Sequence, residues 1–303
     1  MSSRKEGLKE FEHMFSAHLI TYPATRYDWT DLKQKIDVQM ENRHCRNVVL
    51  HQENSYVIGD VGFLDVLAFH IYGPLIGFRW RRFLSRKSQK TRFNLVGFVK
   101  DFLRFIGEIA RLLNVLNPSK MMASRVNCLR SINISASHLE AWREALAMDC
   151  EWALVFEDDG HLESAEDLEA TFDLLERQDS KGCKILVNLS VSFRFPTLGV
   201  EEIIGSSTVE TYSGKSQEVI FTSTPFTNTL CAVALSRPLL EVIVPFAERA
   251  ALSRRFRAIA IDFQLNRLFI ERSEELDIRS IHLNPGIVRQ GSIIRKKPLR
   301  NLR

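Results

Sequence analysis

Trp152-Ala153-Leu154-Val155-Phe156-Glu157-Asp158-Asp159 sets five apolar residues directly before three carboxylates. An unbroken apolar run of this length reads as a strand covered on both faces, the pattern of parallel sheets. Three acids at its end gather negative charge in one place, and burial strengthens their repulsion, so a counter-cation is expected. Ligands of open α/β sheets collect beyond the carboxyl ends of the strands, where these acids fall. Hard oxygen donors suit Mg²⁺ or Mn²⁺, ions that commonly bridge protein carboxylates to a diphosphate. If strand geometry persists, Glu157 and Asp159 point the same way and Asp158 the opposite way. Glu157 and Asp159 are therefore candidate metal ligands in an E-x-D arrangement. A solvated acidic turn closed by Asp159-Gly160 is the other reading of the same residues.

Working outward, residues 17–22 form an apolar run closed by Pro23 and predict a first buried strand. Residues 28–40 predict a helix, with Asp28 or Thr30 as cap and Leu32, Ile36 and Met40 on one face. Residues 46–51 predict a second strand, and strand, helix, strand is how a parallel α/β sheet begins. Ser137-His138-Leu139-Glu140 matches an S-x-x-E capping box and predicts a helix opening at Ser137. Further helices are expected over 166–177, 238–251 and 259–270. Strands are expected over 184–189 and 278–282, the latter as the last strand, with 218–222 and 229–235 as a strand pair.

The stretch from about 60 to 120 breaks this rhythm. It is aromatic and basic, and we read it as a helical insertion in a single domain spanning residues 1–303. Residues 61–80 carry Asp65, His70 and a Gly73-Pro74 break, so they fall short of the roughly 20 clean apolar residues of a membrane span and predict a buried helical hairpin. The basic run from Arg79 to Arg92 has two readings, a segment lying against anionic lipid or a solvated face on a packed helix. The net charge of +4 gives no argument for nucleic acid as a partner. Five scattered cysteines without a C-x-x-C pair, and a charged start without an apolar signal segment, lead us to expect free thiols and a cytoplasmic protein, peripheral at the membrane's inner face if the basic run meets lipid.

Ser137-His138-Leu139-Glu140-Ala141-Trp142, followed by the strand and its Glu157-Asp158-Asp159, resembles glycosyltransferase family 25, the lipopolysaccharide-type and collagen-type galactosyltransferases. The close match covers residues 135–162. Weaker echoes are His18-Leu19-Ile20-Thr21, Ile261-Asp262-Phe263 and Val288-Arg289-Gln290-Gly291-Ser292. Where the family has a G-E-x-G-C-type stretch, this chain has Ser131-Ile132-Asn133-Ile134-Ser135, which leaves donor and acceptor open. The resemblance implies a GT-A-like α/β fold and transfer of a sugar from a nucleotide diphosphate donor to a hydroxyl of a glycan or lipid-linked acceptor, with inversion. It also implies Asp262 as the general base and Gln290 and Ser292 as contacts to the donor. Asp158 and Arg26 are further donor-binding candidates, Arg26 because guanidinium forks suit phosphate. His282 is a third metal-ligand candidate, as a late histidine is in several transferases of that fold. Each of these has a plain structural alternative: a helix-start aspartate, a surface arginine, a packed histidine, an ordinary loop. Two rival functions remain, another metal-dependent phosphotransferase and a catalytically silent binding protein.

Overall fold

In chain order the protein forms β1 (His13–Ile20), α1 (Thr30–Asn42), β2 (Val49–His51), α2 (Phe63–Lys87), α3 (Leu95–Ala110), α4 (Pro118–Ala147), β3 (Cys150–Glu157), β4 (Gly160–Leu162) and α5 (Ala165–Arg177). There follow β5 (Lys184–Asn188), β6 (Ile204–Glu210), β7 (Ser216–Thr222), β8 (Ala232–Ser236), α6 (Arg237–Leu252), α7 (Ile261–Leu276), β9 (Ile278–Asn284) and β10 (Val288–Gln290). The structure is a computed structural model, and it describes residues 13–21, 27–43, 45–46, 48–52, 56–87, 95–110, 117–162, 164–178, 182–190, 204–210, 216–222, 225, 227, 230–284 and 286–291.

Eight strands make one mixed sheet in the order β2-β1-β3-β8-β5-β9-β7-β6. β1 is parallel to β2 and β3, and β9 is parallel to β5. β8 lies between β3 and β5 and is antiparallel to both, so β1, β2, β3, β5 and β9 all run one way. The fold is α/β. Its third strand from one edge is β3, where Trp152, Ala153, Leu154, Val155 and Phe156 are each 0% exposed. The strand alternation divides its side chains between two cores. Trp152, Leu154 and Phe156 meet α1 and α5 through Ile36 and Phe172, while Ala153 and Val155 meet α4, α6 and α7 through Trp142, Ile243 and Phe269. That double cover is why β3 has no polar residue between Glu151 and Glu157.

Several expectations need correction. Residues 61–80 are no hairpin: α2 is one helix of 25 residues running through Pro74. No described helix is long and apolar enough to cross a membrane. Ser137 opens nothing, because α4 is a helix of 30 residues that starts at Pro118, where proline's missing N–H is no loss. The capping-box pattern falls inside it, with Ser137 and His138 both 0% exposed. Residues 218–222 and 229–235 do not pair with each other: β7 joins β6 and β9, whereas β8 joins β3 and β5. Nor is β9 the last strand, since β10 follows it and pairs antiparallel with β4 in a separate small sheet.

The start of α2 is tied to the loop before α7 by Asp65, whose side chain is 1% exposed. Arg257 donates from Nε and from a terminal nitrogen to the two carboxylate oxygens, each at 2.7 Å, and also reaches the Asp60 carbonyl at 2.8 Å. A bidentate pair with one partner this deeply buried is costly to break from one side only. Arg257→Ala is expected to lower unfolding free energy in denaturant titration by about 2–4 kcal/mol, with Asp65→Asn in the same chain recovering part of it. A loss below about 0.5 kcal/mol would place this pair with solvent-screened surface bridges.

Candidate active site

β3 delivers its acids to the edge where the parallel strands end. The Glu157 N–H donates to the Cys231 carbonyl at 2.8 Å and the Asp158 N–H to the Ile20 carbonyl at 2.9 Å, so pairing with both neighbours continues up to the turn. Asp159 and Gly160 then lead into β4. Gly160 has close neighbours: a Cβ there would lie 3.0 Å from the Glu157 carbonyl oxygen and 3.1 Å from Val288 Cγ1.

Glu157 and Asp159 do converge. Their carboxylates and the Cys231 thiol offer ligand atoms that all lie within 4.8 Å of one another. The His138 Nε2–H donates to Glu157 Oε1 at 3.0 Å, and the His138 side chain is 0% exposed. An ionised carboxylate only accepts, so it selects the tautomer with the proton on Nε2 and leaves Nδ1 as a buried lone pair without a partner. Holding a carboxylate in one orientation is what partners of metal ligands commonly do. Cys231 Sγ donates to Asp159 Oδ1 at 3.5 Å. Burial, and then the nearby carboxylates, push that thiol well above its usual range, so it stays protonated and acts as donor. Asp159 itself is pushed up to about 6, first by burial and then by Glu157, with the Gln290 side chain donating a hydrogen bond that works the other way. Asp158 is 5% exposed and adds a smaller repulsion to Asp159.

Gln290 arrives through the small sheet, in register with Gly160, and the Gly291 N–H closes the turn on the Asp159 carbonyl at 2.7 Å. A Cβ on Gly291 would sit 2.7 Å from the Tyr27 ring, so this position needs the smallest residue. Across from the pair stands Asp262 in the first turn of α7, accepting from the Phe263 N–H at 2.8 Å. Burial, followed by the charge of Glu157, raises its carboxyl to about 7. Glu157, Asp262 and Gln290 share the wall of a cavity of about 370 Å³, within the size range of small-molecule sites. Phe69 of α2 and Asn127, Arg130 and Ser131 of α4 form the facing wall.

Four of the residues singled out by sequence therefore meet: Glu157, Asp159, Gln290 and Asp262. Asp158 is adjacent. Arg26 and Ser292 lie outside the described residues. His282 does not join them: it sits on β9, in register with Asn188, three strands from β3, which at strand spacing is about 14 Å away. It is buried, bonds Ser280 Oγ through Nε2 at 3.0 Å, and burial lowers its pKa to about 3. The packed-histidine alternative describes it. Its neighbour on β5, Asn188, has its Oδ1 occupied by the Ser190 N–H and hydroxyl at 2.9 and 2.8 Å.

Sequence reasoning missed Cys231 as a site partner and underrated His138, whose link to Glu157 exists only once α4 lies on the sheet. It also missed a polar line under α4: Cys150 Sγ, Ser16 Oγ, His18 and His51 Nε2 follow one another at 3.0, 3.0 and 2.9 Å, with Glu144 3.7 Å beyond. The i, i+2 spacing of Ser16 and His18 on β1 was the available signal, since alternation puts both on one face.

Two hard carboxylates with oriented partners and a protonated thiol fit a divalent cation of the Mg²⁺ or Mn²⁺ type. The raised Asp159 carboxyl carries a stability consequence. Its folded pKa lies above the ordinary 3.8, so the folded state binds the extra proton between about 4 and about 6. This group's contribution is full below about 4 and is lost as pH rises through about 6. In metal-free protein, Asp159→Asn should therefore stabilise at pH 8 by about 1–3 kcal/mol, and the gain should shrink toward pH 5. Thermal unfolding at the two pH values checks this; an equal gain at both would mean that ionisation of the buried Asp159 carboxyl is not the cause. No protein-family model and no curated protein matches the chain.

Proposed function

We propose that this protein is a metal-dependent glycosyltransferase of GT-A-like architecture that moves a sugar from a nucleotide diphosphate donor to a hydroxyl of a glycan or lipid-linked acceptor. The observation that carries the reading is the meeting of Glu157 and Asp159 at the end of β3, with Asp262 on the wall of the cavity that Glu157 lines. The mixed sheet, with β8 antiparallel beside the acid-bearing strand, and the Ser137–Trp142 resemblance support it further.

In this mechanism Glu157, oriented by His138, and Asp159, braced by Cys231 and Gln290, hold the cation. Bound there, the cation supplies neutralisation of the charge that develops on the departing diphosphate. Asp262 accepts the proton of the acceptor hydroxyl. A carboxyl raised to about 7 is a far stronger base than an ordinary aspartate yet still substantially ionised at neutral pH. Phe69, Ile134, Leu230 and Ile261 give the cavity wall an apolar part against which a sugar ring could pack. Attack by the acceptor from the side opposite the diphosphate inverts the sugar carbon.

The test is thermal unfolding against UDP, GDP and CMP, each with and without Mn²⁺. One nucleotide is expected to raise the melting temperature only when metal is present, and Asp159→Asn should abolish that rise. Asp262→Asn should keep the rise while lowering sugar transfer by about 10²–10⁴-fold. Nucleotide turnover without transfer would assign a phosphohydrolase or phosphotransferase instead. No shift with any pair at millimolar concentration would sink the metal–diphosphate reading in favour of a binding protein.

A further inference from the structure

Helix α3 leaves its most apolar face uncovered. One edge of it packs on α2: Phe98 and Phe105 flank the Phe78 ring at 6.1 and 5.6 Å, and Asp101 accepts from Arg81 at 2.9 Å. Next to that edge, Val99, Phe102, Leu103 and Ile106 follow the three- and four-residue spacing of one helix face and are 44, 43, 63 and 44% exposed. Lys100 and Arg104 stand exposed on the far side. A contiguous stripe of four large apolar side chains is more than the scattered exposure of an ordinary surface, and it marks a contact face.

Charge identifies the occupant. Between Asp65 and Asp101 the chain carries eight lysines and arginines and not one aspartate or glutamate. Among them Arg79 of α2 is exposed, and Arg82 covers the Phe98 ring at 4.9 Å, next to Phe102 at the edge of the apolar stripe. At 16 residues α3 is about 24 Å long, too short to span a bilayer. A strongly amphipathic helix with apolar centre and basic surroundings is suited to lying in the plane of an anionic lipid surface.

We infer that α3 and the basic end of α2 dock the protein onto an anionic bilayer, with Val99, Phe102, Leu103 and Ile106 inserted among the acyl chains. The inference stands apart from the transferase reading. α2 links the two regions, since Phe69 lines the cavity and Phe78, which meets α3, lies about 14 Å further along the same helix. The docked protein would thus hold its cavity close to the lipid headgroups.

The test is sedimentation of the full chain with vesicles of phosphatidylcholine alone and with phosphatidylglycerol added at roughly one part in four. Wild type is expected to partition onto the anionic vesicles and to be released by salt, as charge screening requires. Leu103→Asp combined with Ile106→Asp should reduce partitioning by at least about tenfold while leaving the melting temperature unchanged, because both residues are exposed. Arg79→Glu with Lys100→Glu should remove the preference for anionic over neutral vesicles. Absence of binding to anionic vesicles, or binding unaffected by the Leu103/Ile106 pair, would overturn the proposal. So would a stable dimer in lipid-free buffer that the same pair dissolves, which would assign the stripe to a second copy of the chain.

Discussion

Electrostatic repulsion among Glu157, Asp159 and Asp262 is the constraint around which the carboxyl edge of the sheet is organised. Burial raises two of the three groups, and Glu157 adds to the rise of both. What surrounds them is a set of donors: the His138 Nε2–H, the Cys231 thiol, the Gln290 amide and the backbone N–H of Phe263. None of these is a cation like arginine or lysine. These donors satisfy lone pairs directly, while the one charged group of opposite sign among the described residues of the same cavity wall is Arg130 of α4. A lysine in place of His138, Cys231 or Gln290 would set a full positive charge against the acids.

The two walls of the cavity have different origins in the fold. β3, α7 and β10 contribute the acids and Gln290, while α2 and α4 contribute Phe69, Asn127, Arg130 and Ser131. α2 is held there by Asp65–Arg257 at one end and by Gly77 beneath Phe263 further along, where a Cβ would come within 3.0 Å of the ring. The aromatic, basic stretch is therefore part of the cavity's architecture as well as a surface. Its two helices divide the work: α2 faces inward to α7, α3 faces outward.

How much of this was legible in sequence depended on the range of the forces involved. β3, α1, α5 and α6 were readable because their apolar periodicity reflects burial along one continuous segment. Glu157 and Asp159 do converge as expected, although β3 ends at Glu157 and a turn, not strand alternation, carries Asp159. The Ser137–Glu140 pattern misled because a capping signal is weaker than the packing of a whole helix face, which carries α4 back to Pro118. β4 and β10 were invisible: three residues each give no period to detect, and their pairing depends on partners 128 residues apart. The direction of β8 was equally hidden, because an apolar strand between two covered faces reads the same whichever way it runs. His282 shows the opposite failure, a suitable residue type at a strand end that topology sends to the wrong part of the sheet.

The pairing of β1 with β3 joins His13 to Cys150, with α1 to α4 lying between them in the chain. Closing so long a segment adds little entropy cost beyond closing a shorter one, since each doubling of length adds only about 0.6 kcal/mol. Its effect is on rate: folds dominated by such distant pairings form slowly. Gln290 reaches Asp159 later still in sequence, when β10 lies down on β4. The acid edge of β3 is thus braced through a segment far away in the chain, so its order depends on the closing of the whole domain.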